Sequence, residues 1–485
     1  MGDWLSVHGI TPCPFLFALR FCIVAHSYKY CPTAAAWHCV NEGYLMETDY
    51  LVIGAGAMGL AFADAIHKEK PRSKIVIIEK RPLPGGHWVD DYRFVALHQP
   101  AAFYGVGSLE LSSGGNDLSS HAELVYYYDR VVKQLQKSSA ITFFFRTEYK
   151  GNGLAIPLLN PDKPIKIQVK EKVVDASYMK VLTPSTHSPN FKVGDGVKFV
   201  PINDLLDLQH KPKRFCVIGG GKTGADAVVH LIGNGVLADQ IKWVVPNDMW
   251  FWNRSKVQTG IVGNEFIKFL KAIQNNSSVE QIFLELEKKG SLFRLLDDEL
   301  PRKWRCATFS EREFKVLKSV KDVVRKGRVH AIGIDRIELD NGSVAYEEGC
   351  LFIDCTANGL AARSKEAIFS DKHITLQSVL MCQQTYSAAL IGKIESARMS
   401  LKEKNAILEP VPHPERVEDM PDILVASFEN NIRVVKKIPF WFCKNRLSVG
   451  AHVSFLNFCS LIVKSLLLTP KAKLALKRIA SNSSH

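Results

Sequence analysis

Two stretches of the chain carry one pattern of apolar and polar positions: a short apolar run, a glycine-rich turn, then apolar residues at helical spacing. In the first, Leu51 to Ile53 reads as a strand buried on both faces, and it feeds Gly54, Gly56 and Gly59 in G-x-G-x-x-G spacing. A helix is expected at once, and a second apolar strand, Lys74 to Ile78, then ends in Glu79. In the second stretch Arg214 to Ile218 leads into Gly219, Gly221 and Gly224, a helical pattern covers Ala225 to Ile232, and Ile241 to Val245 is the next strand.

This order of parts has a chemical meaning. The first glycine permits a tight turn, the second leaves room for a pyrophosphate, and the third lets the helix lie close on the strand. Phosphates then meet the free N–H groups and the positive dipole end of the helix. A carboxylate such as Glu79 at the second strand's end accepts hydrogen bonds from an adenosine ribose. The spacing therefore predicts two dinucleotide sites. At the second, Pro246 and Asn247 stand where an acid would repel a 2′-phosphate, although Asp248 is one residue further on. Lys222 and Arg254 add positive charge there, which favours NADPH over NADH. Arg254 on a merely solvated loop is the plainer alternative.

The run from Glu79 to Gly85-Gly86-His87-Trp88 resembles the E…GG-x-W stretch of flavin-containing monooxygenases and the wider two-dinucleotide flavoprotein group. The resemblance implies an α/β fold of two Rossmann-like domains with parallel sheets, the NADPH domain inserted in the FAD domain, in a glutathione-reductase-like two-domain architecture. The cofactor-binding residues would be Gly54, Gly56, Gly59, Glu79, Gly86 and Trp88 for FAD, and Gly219, Gly221, Lys222, Thr223, Gly224 and Arg254 for NADPH. The activity implied is that of a monooxygenase using dioxygen on a small molecule. One departure stands against it: the F-x-G-x-x-x-H-x-x-x-[FW] fingerprint is absent, and His187 in the stretch between Pro184 and Arg214 falls in no matching frame. An NADPH-dependent reductase or dehydrogenase, and a nucleotide-binding regulatory protein without turnover, remain as alternatives.

On this reading residues 1–48 are a disordered or targeting extension, 49–204 the first part of the FAD domain, and 205–324 the NADPH domain. Residues 325–430 return to the FAD domain, and 431–485 form a helical, basic tail. The loop from Asp90 to Val106 follows the FAD turn, so His87, His98, Gln99 and Tyr104 are candidates to line the flavin or substrate pocket. A packed aromatic loop is the plainer account. Ile165 to Val169 and Lys172 to Tyr178 read as a hairpin-like pair, Phe293 to Leu295 as helix, and Glu395 to Asp422 as a linker or surface arm. Bulky Pro246 to Arg254 suits a core or an adenine contact. Phe455 to Leu468, followed by Lys471, Lys473, Lys477 and Arg478, suits an amphipathic helix packed on the protein or lying on a membrane.

Composition adds limits. A chain of 485 residues, 46% hydrophobic and 23% charged, is ordinary for a globular protein. The net charge of +13 comes without a nucleic-acid motif and reads as diffuse. The 11 cysteines form no C-x-x-C pair, which argues against a disulfide framework and a zinc site and for a reducing, cytoplasmic setting. Cys350 and Cys355 stand in C-x-x-x-x-C spacing, but their odd separation in a strand points them to opposite faces. No metal site is expected.

Overall fold

The computed structural model of the chain describes residues 38–40, 43–210, 212–357, 359–360 and 363–482. Residues 1–37, most of the expected extension, lie outside the described residues.

Four strands form the parallel heart of the first sheet, in the order Ile141–Phe144, Ile75–Ile78, Gly43–Ile53, Ile165–Asp175. Ile75–Ile78 is apolar and buried throughout, as an inner strand covered on both faces should be, whereas Ile165–Asp175 alternates buried and exposed positions over its first half. His373–Thr375, from far along the chain, pairs in parallel with the end of Ile165–Asp175. The predicted break at residues 170–171 does not exist: Ile165–Asp175 is one strand, and the hairpin lies before it, at Thr147–Gly151 and Leu154–Pro157. The first strand starts at Gly43, so residues 43–48 belong to the sheet and not to an extension. Thr48 is buried there, and its hydroxyl donates to Lys74 O at 2.9 Å.

Ala57–Glu69 and Gln384–Ser396 pack together on this sheet. The approach is close, since a Cβ on Gly392 would lie 3.0 Å from that of Ala65. Helix His121–Leu135 starts at a reciprocal cap, the Ser120 hydroxyl accepting from Glu123 N and the Glu123 carboxylate from Ser120 N.

The second parallel sheet runs Val323–Val324, Ile241–Val244, Phe215–Ile218, Leu351–Asp354, Lys198–Pro201. It corrects the expected boundaries at residues 204 and 324. Lys198–Pro201, assigned to the first domain, is its edge, and Leu351–Asp354, assigned to the return, is one of its inner strands. Val329–Ile332, Arg336–Leu339 and Gly342–Ala345 form a small sheet with Lys192–Val193. The chain thus rejoins the first sheet after Asp354, not at residue 325.

Met249–Asn253, Leu292–Phe293 and Lys303–Phe309 build a third sheet. Trp250, Phe251 and Trp252 are fully or nearly buried, which makes this stretch core rather than an adenine platform, and Leu292–Phe293 is strand where helix was expected. The expected linker is also structured, since it holds Leu401–Ile407 and the start of Asp419–Lys437. The last described element is the helix Phe455–Asn482.

Candidate functional site

Each glycine turn is built from local necessities. At the first, Gly54 has φ +107°, a conformation that favours glycine, and its N–H donates to Ile78 O at 2.7 Å. A Cβ on Gly59 would lie 2.0 Å from Gly54 O, so only glycine lets the helix seat on its strand. The second turn repeats this: Gly219 has φ +130° and donates to Val244 O at 3.0 Å, and a Cβ on Gly224 would lie 1.9 Å from Gly219 O. Both helices start at a glycine with no side-chain cap and no acid in the first turn. Their first N–H groups and dipoles are left to attract an anion.

A matching turn backs each site. Asp175 accepts from Ser177 N at 2.8 Å behind the first, and Asp354 from Thr356 N at 2.8 Å behind the second. Asp175-Ala176-Ser177 is therefore a side-chain-locked turn, and Ala176 N donates to Ile53 O.

The carboxylate of Glu79 is 4% exposed and accepts from Ala55 N at 2.8 Å and Arg81 N at 2.9 Å. It sits at the end of the second strand and fixes the glycine turn. Gly85 N donates to Ala55 O at 2.9 Å, and a Cβ on Gly86 would lie 3.0 Å from Gly56 Cα. Trp88 and Tyr104 lie edge to face in the core, Trp88 Nε1 donating to Tyr104 Oη at 2.7 Å. His87 lies tilted against Trp88 with ring centroids 4.8 Å apart and is pushed down to about 4 by burial.

The stretch after Trp88 joins the two turns. Tyr92 Oη donates to Asp226 Oδ2 at 2.7 Å in the first turns of the second nucleotide helix, and Phe94 stacks on His230 of the same helix. Asp91 is mostly buried, and desolvation, with Asp90 and Asp226 adding negative charge, pushes its carboxyl up to about 7. His98 is half-buried with its Nδ1 enclosed; desolvation first, then the charges of Lys222 and Arg254, pushes it down to about 3. Its carbonyl accepts from the Thr308 hydroxyl. Gln99 Oε1 accepts from Gln383 Nε2 at 2.9 Å, immediately before helix Gln384–Ser396.

The structure therefore brings His98 and Gln99 to the junction of the two units and the start of that helix, while Tyr104 lies with Trp88. His98 Nδ1, Gln383 Oε1 and Gln384 Nε2 are buried without a hydrogen-bond partner. Orphaned polar atoms are rare in native interiors, and three where the loop meets the start of that helix fit a polar ligand there.

At the second turn a Cβ on Gly221 would meet nothing within 4 Å. Lys222 pairs with Asp226 and lies over the Phe309 ring, and Thr223 follows it in the helix. Arg254 is no solvated loop residue: it is 9% exposed, pairs with Glu313 at 2.8 Å and donates to Thr308 O at 3.2 Å. Asp248 is held by Arg325 Nε at 2.7 Å. Sequence spacing missed Arg325, because the edge strand before it has only two residues. It also missed Arg446, whose guanidinium donates to Ala102 O at 3.0 Å and Val106 O at 2.9 Å and pins the loop after His98.

The sulfurs give two further results. Cys350 and Cys355 are free and belong to different cores on the two faces of their sheet. Cys306 and Cys382, 76 residues apart, form a disulfide beside His413, a pairing that the scattered cysteines did not announce. Sulfurs bonded to each other do not serve as thiolate ligands, so the cluster is no metal site in this state. A cavity lined by Arg214, Phe215, Lys242, Asp322, Tyr346 and Glu347 lies at the starts of the second sheet's strands, opposite the glycine turn.

Residues 52–105 match the profile of a NAD(P)-binding Rossmann-like domain. An uncharacterized protein of Mycobacterium tuberculosis is 37% identical over 386 residues, covering 76% of this chain and 71% of its own. Solved structures are similar at lower identity. The open crystal structure of cyclohexanone monooxygenase is 13% identical with a TM-score of 0.47, covering 72% of this chain and 86% of its own. A flavin-containing monooxygenase from Stenotrophomonas maltophilia is 12% identical with a TM-score of 0.45, covering 74% and 98%.

Proposed function

The chain belongs to the same family as the mycobacterial protein that it matches, and from that premise we propose that it is an oxidoreductase holding FAD at the first glycine turn and NADPH at the second. The observation that carries this is the pair of uncapped helix starts joined by one loop, through Tyr92 on Asp226 and Phe94 on His230. Gly54, Gly56 and Gly59 would take the FAD pyrophosphate, with Gly86 closing over it and Glu79 at the ribose. Gly219, Gly221 and Gly224 would take that of NADPH, with Lys222 and Arg325 as the nearby cations. When bound, NADPH supplies a hydride and FAD passes the electrons to the acceptor.

The chain's own work is to position and to dry. Burial keeps His87 and His98 neutral at pH 7, so each offers a hydrogen bond without a charge to attract water. Asp91, pushed up to about 7, holds or yields a proton at its carboxyl near neutral pH. Gln383 and Gln384 present amide groups at the start of their helix.

The finer reading is a monooxygenase acting on a small molecule with dioxygen. Reduction without oxygenation is favoured by the missing fingerprint, in whose place His187 is half-buried with its ring Nδ1 against Ser188 O. The purified chain should be yellow, with about one FAD per chain, and should bleach when NADPH is added without air. Colourless protein, or flavin that NADPH leaves oxidised, overturns the proposal. Isotopic oxygen in the product separates oxygenation from plain reduction.

A further inference from the structure

The positive charge read as diffuse is not spread evenly. Of 62 Lys and Arg residues ten lie beyond Asn430, and of 49 Asp and Glu residues none does. The last 55 residues thus carry ten of the thirteen surplus charges, an asymmetry that marks a segment meeting an anionic partner. Arg433 and Arg446 turn inward to backbone carbonyls, whereas the other eight are exposed.

The helix Phe455–Asn482 has its faces inverted relative to a surface helix. One face is fixed to the protein: Phe458, Ser465, Thr469, Ala472, Ala475 and Ile479 are buried. There it packs on Val262–Asn275 and Asp419–Lys437, with Gln274 Nε2 donating to Leu468 O at 3.0 Å. The outer face bears Leu456, Val463, Leu467 and Leu474, spaced by seven, four and seven residues and so in one stripe. They are exposed by 80%, 54%, 61% and 61%. Lys464 and Lys471 flank the stripe on one side, Lys473 and Lys477 on the other. At its start Phe455 and Phe440 are also bare, tied together by the packing of Phe442 on Phe458. Among the described residues this is the one helix long and apolar enough to cross a bilayer, yet its buried face holds it flat against the protein.

We propose that this face docks on an anionic phospholipid bilayer, the apolar stripe entering the acyl boundary and the flanking lysines meeting lipid phosphates. A second copy is the poorer occupant, because a symmetric contact would set the same surplus of positive charge against itself. The inference stands whether or not the glycine turns hold cofactors.

The test is sedimentation of the full chain with vesicles of phosphatidylcholine alone and with about 30% phosphatidylserine. Binding is expected only to the second, and it should weaken about tenfold in ~0.5 M salt. Leu467→Glu with Leu474→Glu should weaken it at least about tenfold with an unchanged thermal melt, since both side chains are exposed. Lys471→Glu with Lys477→Glu should act similarly. Absence of binding to the anionic vesicles, or equal binding by the leucine variant, overturns the proposal. So does a dimer in the ultracentrifuge that the leucine variant disperses while vesicles stay bare.

Discussion

The two glycine turns agree at their third glycine and part at their second. Gly59 and Gly224 face the same obstacle, a carbonyl oxygen 2.0 and 1.9 Å from where a Cβ would be. A Cβ on Gly56 would meet Gly86 Cα at 3.5 Å, whereas one on Gly221 would meet nothing within 4 Å. The first turn is a lidded cradle and the second an open shelf. On the proposed function, the lidded turn would keep its cofactor and the open one would let its own come and go. The difference lies in what crosses over the turn, not in the turn itself.

The largest effect tests the shared part. Gly59→Ala and Gly224→Ala should each destabilise the fold by about 3 kcal/mol or more, because backbone must move to admit the methyl. Urea unfolding reads this, and a loss below about 1 kcal/mol in either would show that the helix does not seat as described.

That shared part was legible in the sequence because it is local: strand, glycines and helix fall within about 20 residues, and each glycine's role follows from its neighbours. What was not legible depends on distant partners. Nothing near Arg254 announces Glu313, and nothing near Asp248 announces Arg325, 77 residues on. The domain boundaries failed for the same reason, since Lys198–Pro201 joins the second sheet only by pairing with Leu351–Asp354. The apolar run at Leu351 gave the strand but not the sheet it belongs to. His98 and Gln99 were reachable as loop residues; that Gln99 would bond Gln383 was not.

The second prediction separates lid from shelf. Gly221→Val has φ −83° and an open site, so the fold should hold within about 0.5 kcal/mol. Its side chain would nonetheless occupy the phosphate position, and NADPH affinity should fall about a hundredfold, read by titration of tightly purified protein. Gly56→Leu should instead abolish flavin content, because the Gly86 lid leaves the side chain no exit. Stoichiometric FAD in that variant would break the comparison.

The loop between the turns gives a pH signature. Asp91 titrates at about 7 in the fold and near 3.8 unfolded. Below pH 3.8 both states hold the proton and the group costs nothing. Between about 4 and 7 the unfolded chain releases it first, so stability falls, and the deficit is complete above about 7. Asp91→Asn should therefore raise stability by about 4 kcal/mol at pH 8 and leave it unchanged at pH 3.5, measured by urea unfolding at both. An equal gain at both pH values would assign the effect to packing.

The smallest effect concerns the acids at the strand ends, where the two turns differ again. Glu79 is bound by the amides of its own turn, Ala55 N and Arg81 N, and stays in place whatever else is changed. Asp248 is held by one side chain, Arg325, which also supplies positive charge beside the adenosine end of the shelf. Arg325→Ala frees the Asp248 carboxylate to meet a ribose and leaves it to repel a 2′-phosphate. Preference for NADPH over NADH should drop about tenfold, mostly through weaker NADPH binding. Asp248→Asn, which keeps the arginine and removes the charge it neutralises, should move the preference the other way. If neither variant shifts the ratio, the phosphate is read elsewhere, and the buried Arg254 would have to leave Glu313 to do it.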